Sequence, residues 1–205
     1  FFGVSKYKYN TEYEAASEGK HSLDLVNARH DAQKLADVFR EVGRLDDARV
    51  YVNEQATRRQ LEMAVTDWLP SVSRPGDTVF IFFSGHGLKI KDDNGDEADG
   101  LDEALAPHDI VDPGILVQLK EKVDRGEPGN AGFDALLSVA RKAGPEFDDM
   151  YAALIRESGV SDDLFGHWLQ RLDGRRVVVI LGSCHSGGFA TIEKGEEPAT
   201  RTLSF

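Results

Sequence analysis

Apolar runs of strand length alternate along this chain with amphipathic stretches of helical period. Val177 to Leu181 is unbroken, mostly β-branched and short, the pattern of a parallel strand buried on both faces. It opens into Gly182-Ser183-Cys184-His185-Ser186-Gly187-Gly188, where small residues allow a sharp turn and the close approach of another group. Val79 to Phe83 has the same design and opens into Ser84-Gly85-His86-Gly87. Around these two, Phe1 to Val4 reads as the end of a first strand and Ala48 to Val52 as a second. Val26 to Val42 reads as an amphipathic helix closed by Gly43, with Val26, Ala28, Leu35, Ala36, Val38, Phe39 and Val42 on its apolar face. Ala56 to Leu69 reads as another, with Thr57 as N-cap and Pro70 past its end. Lys6 to Leu23, polar and tyrosine-containing, reads as a loop.

Strand, helix, strand, helix, strand is the order of a doubly wound α/β domain, a mainly parallel sheet with helices on both faces. Residues 114–160 interrupt that order as a helical insertion, with helices expected at Phe133 to Lys142 and Glu146 to Ser158 on either side of Ala143-Gly144-Pro145. Structural decoration and a regulatory or substrate-gating element are both readings of it. Asp162 to Leu172 follows as a helix with Leu164, Phe165, Trp168, Leu169 and Leu172 on its inner face, and Glu193 to Arg201 reads as a polar loop.

In open parallel sheets, ligands bind outside the carboxyl ends of the strands. Neighbouring strands would therefore bring His86 and Cys184 to one edge. A thiol becomes a good nucleophile when an imidazole favours its thiolate, so the pair reads as a Cys–His dyad. Taken alone, a single cysteine behind an apolar run also reads as a small core residue. His185 is a rival base, although a side chain adjacent in sequence usually points away.

Composition narrows the classes. At 205 residues and 40% hydrophobic content, one core and one domain are expected. A formal net charge of −12 argues against nucleic-acid binding through a basic surface. One cysteine excludes an internal disulfide and a cysteine-rich metal site. No apolar run approaches the ~20 residues of a membrane span and no signal-peptide pattern is present, so a cytoplasmic location without membrane contact is expected. Lys91 to Glu103 carries seven acids in thirteen positions. Asp92, Asn94, Asp96 and Glu103 match EF-hand positions, but Glu97 replaces the required glycine, and a solvated acidic loop is the default. No metal ligands are assigned and no cofactor is required; calcium is a candidate. A small-molecule-binding doubly wound domain would need a Gly-rich phosphate loop, which is missing.

Ser84-Gly85-His86-Gly87 and Ser183-Cys184-His185-Ser186-Gly187 resemble the His and Cys motifs of the caspase-like cysteine peptidases, most closely the metacaspases and their bacterial relatives. Phe2-Gly-Val-Ser-Lys-Tyr7, Asn27-Ala-Arg-His-Asp-Ala32 and Asp99-Gly-Leu-Asp-Glu-Ala104 with Pro107 extend the resemblance to most of the chain outside residues 114–160. It implies a caspase-hemoglobinase fold, with residues 1–205 as the large-subunit part of the catalytic domain and a small subunit of the same precursor as partner. It also implies an endopeptidase acting on polypeptides through Cys184 and His86, with the backbone N–H groups of Gly87 and Cys184 as oxyanion hole. Asp31 and Ser84 match the pocket that takes Arg or Lys in metacaspases, whereas Gly182 stands where they usually carry Asp. Such specificity would make Lys194 and Arg201 candidate self-processing sites. Calcium dependence and roles in cell death or defence are family associations. The alternative is an inactive caspase-fold binding or scaffold module, a reading that Gly182 and the absent small subunit support.

Overall fold

The computed structural model describes residues 1–17, 19–43, 45, 47–92, 95, 100–111, 121, 124–126, 146–185, 189 and 200–204. The two apolar runs form its centre. Strand β3 (Thr78–Ser84) pairs in parallel with β7 (Arg176–Gly182) along its whole length, from Thr78↔Arg176 to Ser84↔Gly182. Beside them lie β1 (Phe2–Gly3), β2 (Tyr51–Val52) and β8 (Thr200–Ser204), in the order β2-β1-β3-β7-β8 with every pairing parallel. A smaller antiparallel sheet joins β4 (Gly87–Lys91), β5 (Leu101–Leu105) and β6 (Val160–Ser161).

The side-chain alternation of β3 divides the core between the two faces. Val79, Ile81 and Phe83 join Val177, Val179 and Leu181 under Leu61, Ala64 and Val65 of one helical run and Phe165, Trp168 and Leu172 of another. Phe82 packs on the opposite face with Phe1, Ala32, Ala36, Leu35 and Phe39. Helix α1 (Asn10–Ala16) precedes α2 (Ala28–Val42), which supplies that opposite face. Its three alanines at four-residue spacing, Ala28, Ala32 and Ala36, are buried, so the α2 backbone sits close to the sheet. Gly3 permits this, because a Cβ there would lie 2.5 Å from the Ala28 carbonyl oxygen and 2.8 Å from the Ala32 Cβ. Val38 and Val42, expected on the apolar face, are 50% and 74% exposed, and Val26 precedes the helix and is exposed. The small residues, not the valines, mark the inner face.

Four local expectations are corrected. The stretch from Lys6 to Leu23 contains α1, whose Ala15, Ala16 and glutamates favour helix over too few residues to show a period. Pro70 lies inside a helical run rather than beyond it: α3 (Arg58–Met63) continues through a π turn (Ala64–Trp68) into α4 (Leu69–Val72). The π turn widens the backbone just before Pro70, whose missing N–H and ring would break an α-helical bond. The hydroxyls of Ser71 and Ser73 donate to the carbonyls of Trp68 and Leu69 at 2.7 and 2.6 Å. The ends of the acidic stretch belong to strands β4 and β5, and Thr200 and Arg201 belong to β8, because backbone pairing does not require apolar side chains. Of the two helices expected in the insertion, α5 (Phe147–Ser158) is present, and Phe133 to Lys142 lies outside the described residues.

Helix α6 (Asp162–Leu169) starts on Ser161, whose hydroxyl accepts the Leu164 N–H at 3.2 Å, as an N-cap should. Burial, then the charges of Asp163 and Glu103, push the Asp162 carboxyl up to about 6, against the backbone N–H bonds that favour its charged form. The folded chain therefore holds this proton more tightly than the unfolded chain, and the charged carboxylate costs stability above about pH 6. That cost is relieved as pH falls from about 6 toward 4. Asp162→Asn is expected to stabilise the protein at pH 7.5 by about 1 kcal/mol after allowance for solvent screening, and to have no such effect near pH 4. Thermal melts at the two pH values check this, and an equal or lower melting temperature for the variant at pH 7.5 contradicts it.

Candidate active site

β3 and β7 end level with each other, and the backbone contact continues past their last pair. The Gly85 N–H donates to the Gly182 carbonyl at 3.3 Å. Two residues further on, a Cβ on Gly87 would fall on the Cys184 carbonyl oxygen and lie 2.8 Å from its carbon. Only glycine fits at position 87, and its absent side chain lets the His-bearing and Cys-bearing segments touch. Beyond this contact the chain turns. Ser183 is buried, Cys184 is an exposed free thiol, and His185 takes a left-handed φ of 53°, which histidine tolerates better than most residues.

His86 is held on three sides. Its ring Nε2 lies 2.9 Å from the Leu23 carbonyl oxygen. A carbonyl only accepts, so Nε2 carries a proton, and in the neutral ring Nδ1 keeps the lone pair. The His86 backbone N–H donates to the Tyr7 hydroxyl at 2.7 Å, and the His86 carbonyl accepts the Ala106 N–H at 2.9 Å. The Tyr7 ring lies against the imidazole, with centroids 5.1 Å apart and planes tilted by 38°.

The segment that supplies the Leu23 carbonyl is itself fixed. The Leu23 N–H donates to Asn10 Oδ1 at 2.7 Å. Next to it, the Asp24 carboxylate accepts the Tyr7 N–H at 3.0 Å and the Lys6 ammonium at 2.6 Å. Sequence reasoning missed Tyr7, Leu23 and Asp24. Leu23 acts through a backbone carbonyl that any residue could carry, and Tyr7 and Asp24 fall in or beside a stretch read as loop, where residue type does not mark them as supports of a site.

Asp31 and Ser84 also meet, the Ser84 hydroxyl donating to Asp31 Oδ2 at 3.4 Å. Ser84 is buried at the end of β3, while Asp31 is exposed in the first turn of α2. Gly182 is the sheet partner of Ser84, and a Cβ on it would lie 3.6 Å from Ser84 Oγ, an ordinary contact. A Cβ would therefore fit at position 182. The carboxyl edge of β3 and β7 thus gathers His86, Gly87, Cys184, Ser84 and, through Ser84, Asp31. Among the described residues no group of three or more His, Cys, Asp or Glu could hold a metal ion, and Asn94, Asp96 and Glu97 lie outside those residues. Nor, among them, is any helix long and apolar enough to cross a membrane.

Known proteins resemble this chain in sequence and fold. The family model for the metacaspase peptidase C14 domain matches residues 13–123, a span that contains Asp31, Ser84, His86 and Gly87. Metacaspase-1 of Plasmodium falciparum is 33% identical over 156 residues, which is 76% of this chain and 25% of that protein. Metacaspase-1 of Mycosarcoma maydis is 25% identical over 197 residues, or 87% of this chain and 39% of that protein. The chain thus spans less than half the length of these relatives. A crystal structure of a Geobacter sulfurreducens protein shares the fold with a TM-score of 0.54 at 19% identity, covering 89% of this chain and 48% of the other. With more than half of its length matched by the family model and its parallel sheet flanked by helices on both faces, the chain belongs to the metacaspase family of caspase-like cysteine peptidases.

Proposed function

We propose that this chain carries the catalytic residues of a cysteine endopeptidase that cuts polypeptides after Arg or Lys. The observation that carries the reading is the backbone contact between Gly87 and Cys184, which sets the thiol and the imidazole on adjoining segments. His86 Nδ1 takes the Cys184 proton, and the thiolate attacks the scissile carbonyl carbon. The oxygen that becomes negative is received by the backbone N–H groups of Gly87 and Cys184 as an oxyanion hole. The imidazolium then protonates the leaving amine, and His86 afterwards takes a proton from the water that cleaves the thioester. His185 is the lesser candidate for the base.

Asp31 receives the basic side chain before the cut through a charge-assisted pair, with Ser84 holding its other carboxylate oxygen. A small subunit of the same precursor completes the substrate groove. For self-processing we favour Lys194, which lies outside the described residues, over Arg201, whose backbone sits in β8 opposite Val178.

Hydrolysis of matched fluorogenic peptides ending in Arg, Lys or Asp, with and without calcium, tests the reading. Cleavage after Arg and Lys that vanishes in Cys184→Ala is expected. Asp31→Ala should lower kcat/KM for Arg peptides by at least about tenfold, the scale of one charge-assisted contact. Gly182→Asp, which adds a second carboxylate beside Ser84, should raise it. Cleavage only after Asp, or Arg cleavage unchanged in Asp31→Ala, contradicts the specificity. No Cys184-dependent cleavage under any condition would fit an inactive binding module instead.

A further inference from the structure

We propose that Tyr7 is a positioning residue for His86, setting both the place of its backbone and the tautomer of its ring. The inference rests on the reading of His86 as the proton-transfer group and deepens it.

Tyr7 is 5% exposed, so its hydroxyl needs partners inside the protein. The hydroxyl has two partners among the described residues that lead to the site. It accepts the His86 N–H at 2.7 Å and reaches the Ala106 carbonyl at 3.5 Å, while Ala106 donates its own N–H to the His86 carbonyl at 2.9 Å. Tyr7 and Ala106 thereby hold the His86 backbone on both its polar groups. The same ring covers one face of the imidazole at 5.1 Å. An imidazole on a short side chain keeps two torsions, and the single Nε2 bond to Leu23 fixes its end while the Tyr7 ring fixes its plane.

Tyr7 is in turn fixed at its own backbone by Asp24, in the peptide unit next to the Leu23 carbonyl that takes the Nε2 proton. One staple therefore sets both supports of His86 relative to each other. Gly85 is part of the arrangement, because a Cβ there would lie 3.1 Å from the Tyr7 hydroxyl and 3.0 Å from the Phe83 ring. The glycine before His86 makes room for the tyrosine beneath it.

The experiment uses the complete protein, with the small subunit that completes its groove, as wild type, Tyr7→Phe and Tyr7→Leu, with two readouts. Long-range proton–nitrogen NMR of ¹⁵N-histidine protein, at a pH where imidazoles are neutral, reports the His86 tautomer without any need for activity. The wild type is expected to show one species, protonated at Nε2. Tyr7→Phe keeps the ring and loses the hydroxyl, so a minor Nδ1-protonated species of a tenth or more should appear, and in Tyr7→Leu the two should become comparable. With a peptide substrate, kcat should fall roughly fivefold in Tyr7→Phe and about 10²-fold in Tyr7→Leu at nearly constant KM, the scale of a misplaced catalytic group. A purely structural tyrosine would lower stability and move neither the tautomer nor kcat. Unchanged tautomer and kcat in both folded variants overturn the proposal. If Tyr7→Leu does not fold, Tyr7→Phe decides by the same two readouts. A wild type that shows the Nε2 tautomer but cleaves nothing would count against the peptidase reading alone, and the variants' tautomers would still decide the role of Tyr7.

Discussion

His86→Ala is expected to lower kcat for peptide hydrolysis by about 10²- to 10⁴-fold, the range that a positioned acid–base group contributes. The fold should survive. The side chain is only partly buried and its polar anchor among the described residues is the Leu23 carbonyl, so the stability lost is about 1 kcal/mol. Cys184→Ala, at an exposed position, should remove Cys-dependent turnover entirely with still less effect on stability. The decisive comparison is partial rescue of His86→Ala by added imidazole, which can replace a missing proton carrier and cannot replace a missing nucleophile. Rescue of neither variant alongside an unchanged rate in His86→Ala would remove His86 from the mechanism and leave His185 as the base.

Gly87→Ala is the second large effect, and it works through the backbone. The added methyl would occupy the position of the Cys184 carbonyl oxygen, and neither partner is a flexible side chain that could swing away. The two segments must separate. Overpacking of this kind costs roughly 1–3 kcal/mol of stability. The effect on catalysis should be larger, because the proposed oxyanion donors and the proposed dyad sit on the segments forced apart, and loss of one such donor costs about 10²- to 10³-fold in kcat. Gly166→Ala is the control. That glycine lies inside α6 with nothing within 4 Å of a Cβ, so alanine there should stabilise the helix by roughly 0.5–1 kcal/mol without touching activity. An activity loss in Gly87→Ala no larger than its unfolded fraction would show that Gly87 matters only through general stability.

The centre of the fold was legible because its determinants are local and redundant. Val177 to Leu181 and Val79 to Phe83 are apolar on both faces, which leaves the middle of a covered parallel sheet as the place where both can be buried, and their ends then carry His86 and Cys184 to one edge. Asp31 and Ser84 came from the resemblance to metacaspases, and their meeting at 3.4 Å joins the first turn of α2 to the end of β3. The supports of His86 were not legible for the opposite reason. The Leu23 carbonyl is available in any sequence, Tyr7 acts through a hydroxyl and a ring face some eighty positions from its partner, and Asp24 works on a backbone N–H. Such contacts depend on where folding brings the chain, and residue type alone does not announce them. Helix α1 and the π turn before Pro70 were missed on the same principle, since tertiary packing can override weak local propensity.

The measurement that bears most directly on the central claim is labelling of the chain by a peptidyl electrophile ending in Arg, with mass spectrometry to locate the adduct. A stoichiometric adduct at Cys184 is expected, formed far faster than with the same electrophile lacking the peptide, slowed sharply in His86→Ala and reduced in Asp31→Ala. Labelling of Cys184 at the same rate with and without the peptide, and independent of His86, would show an ordinary surface thiol and contradict the reading of this edge as a peptidase site.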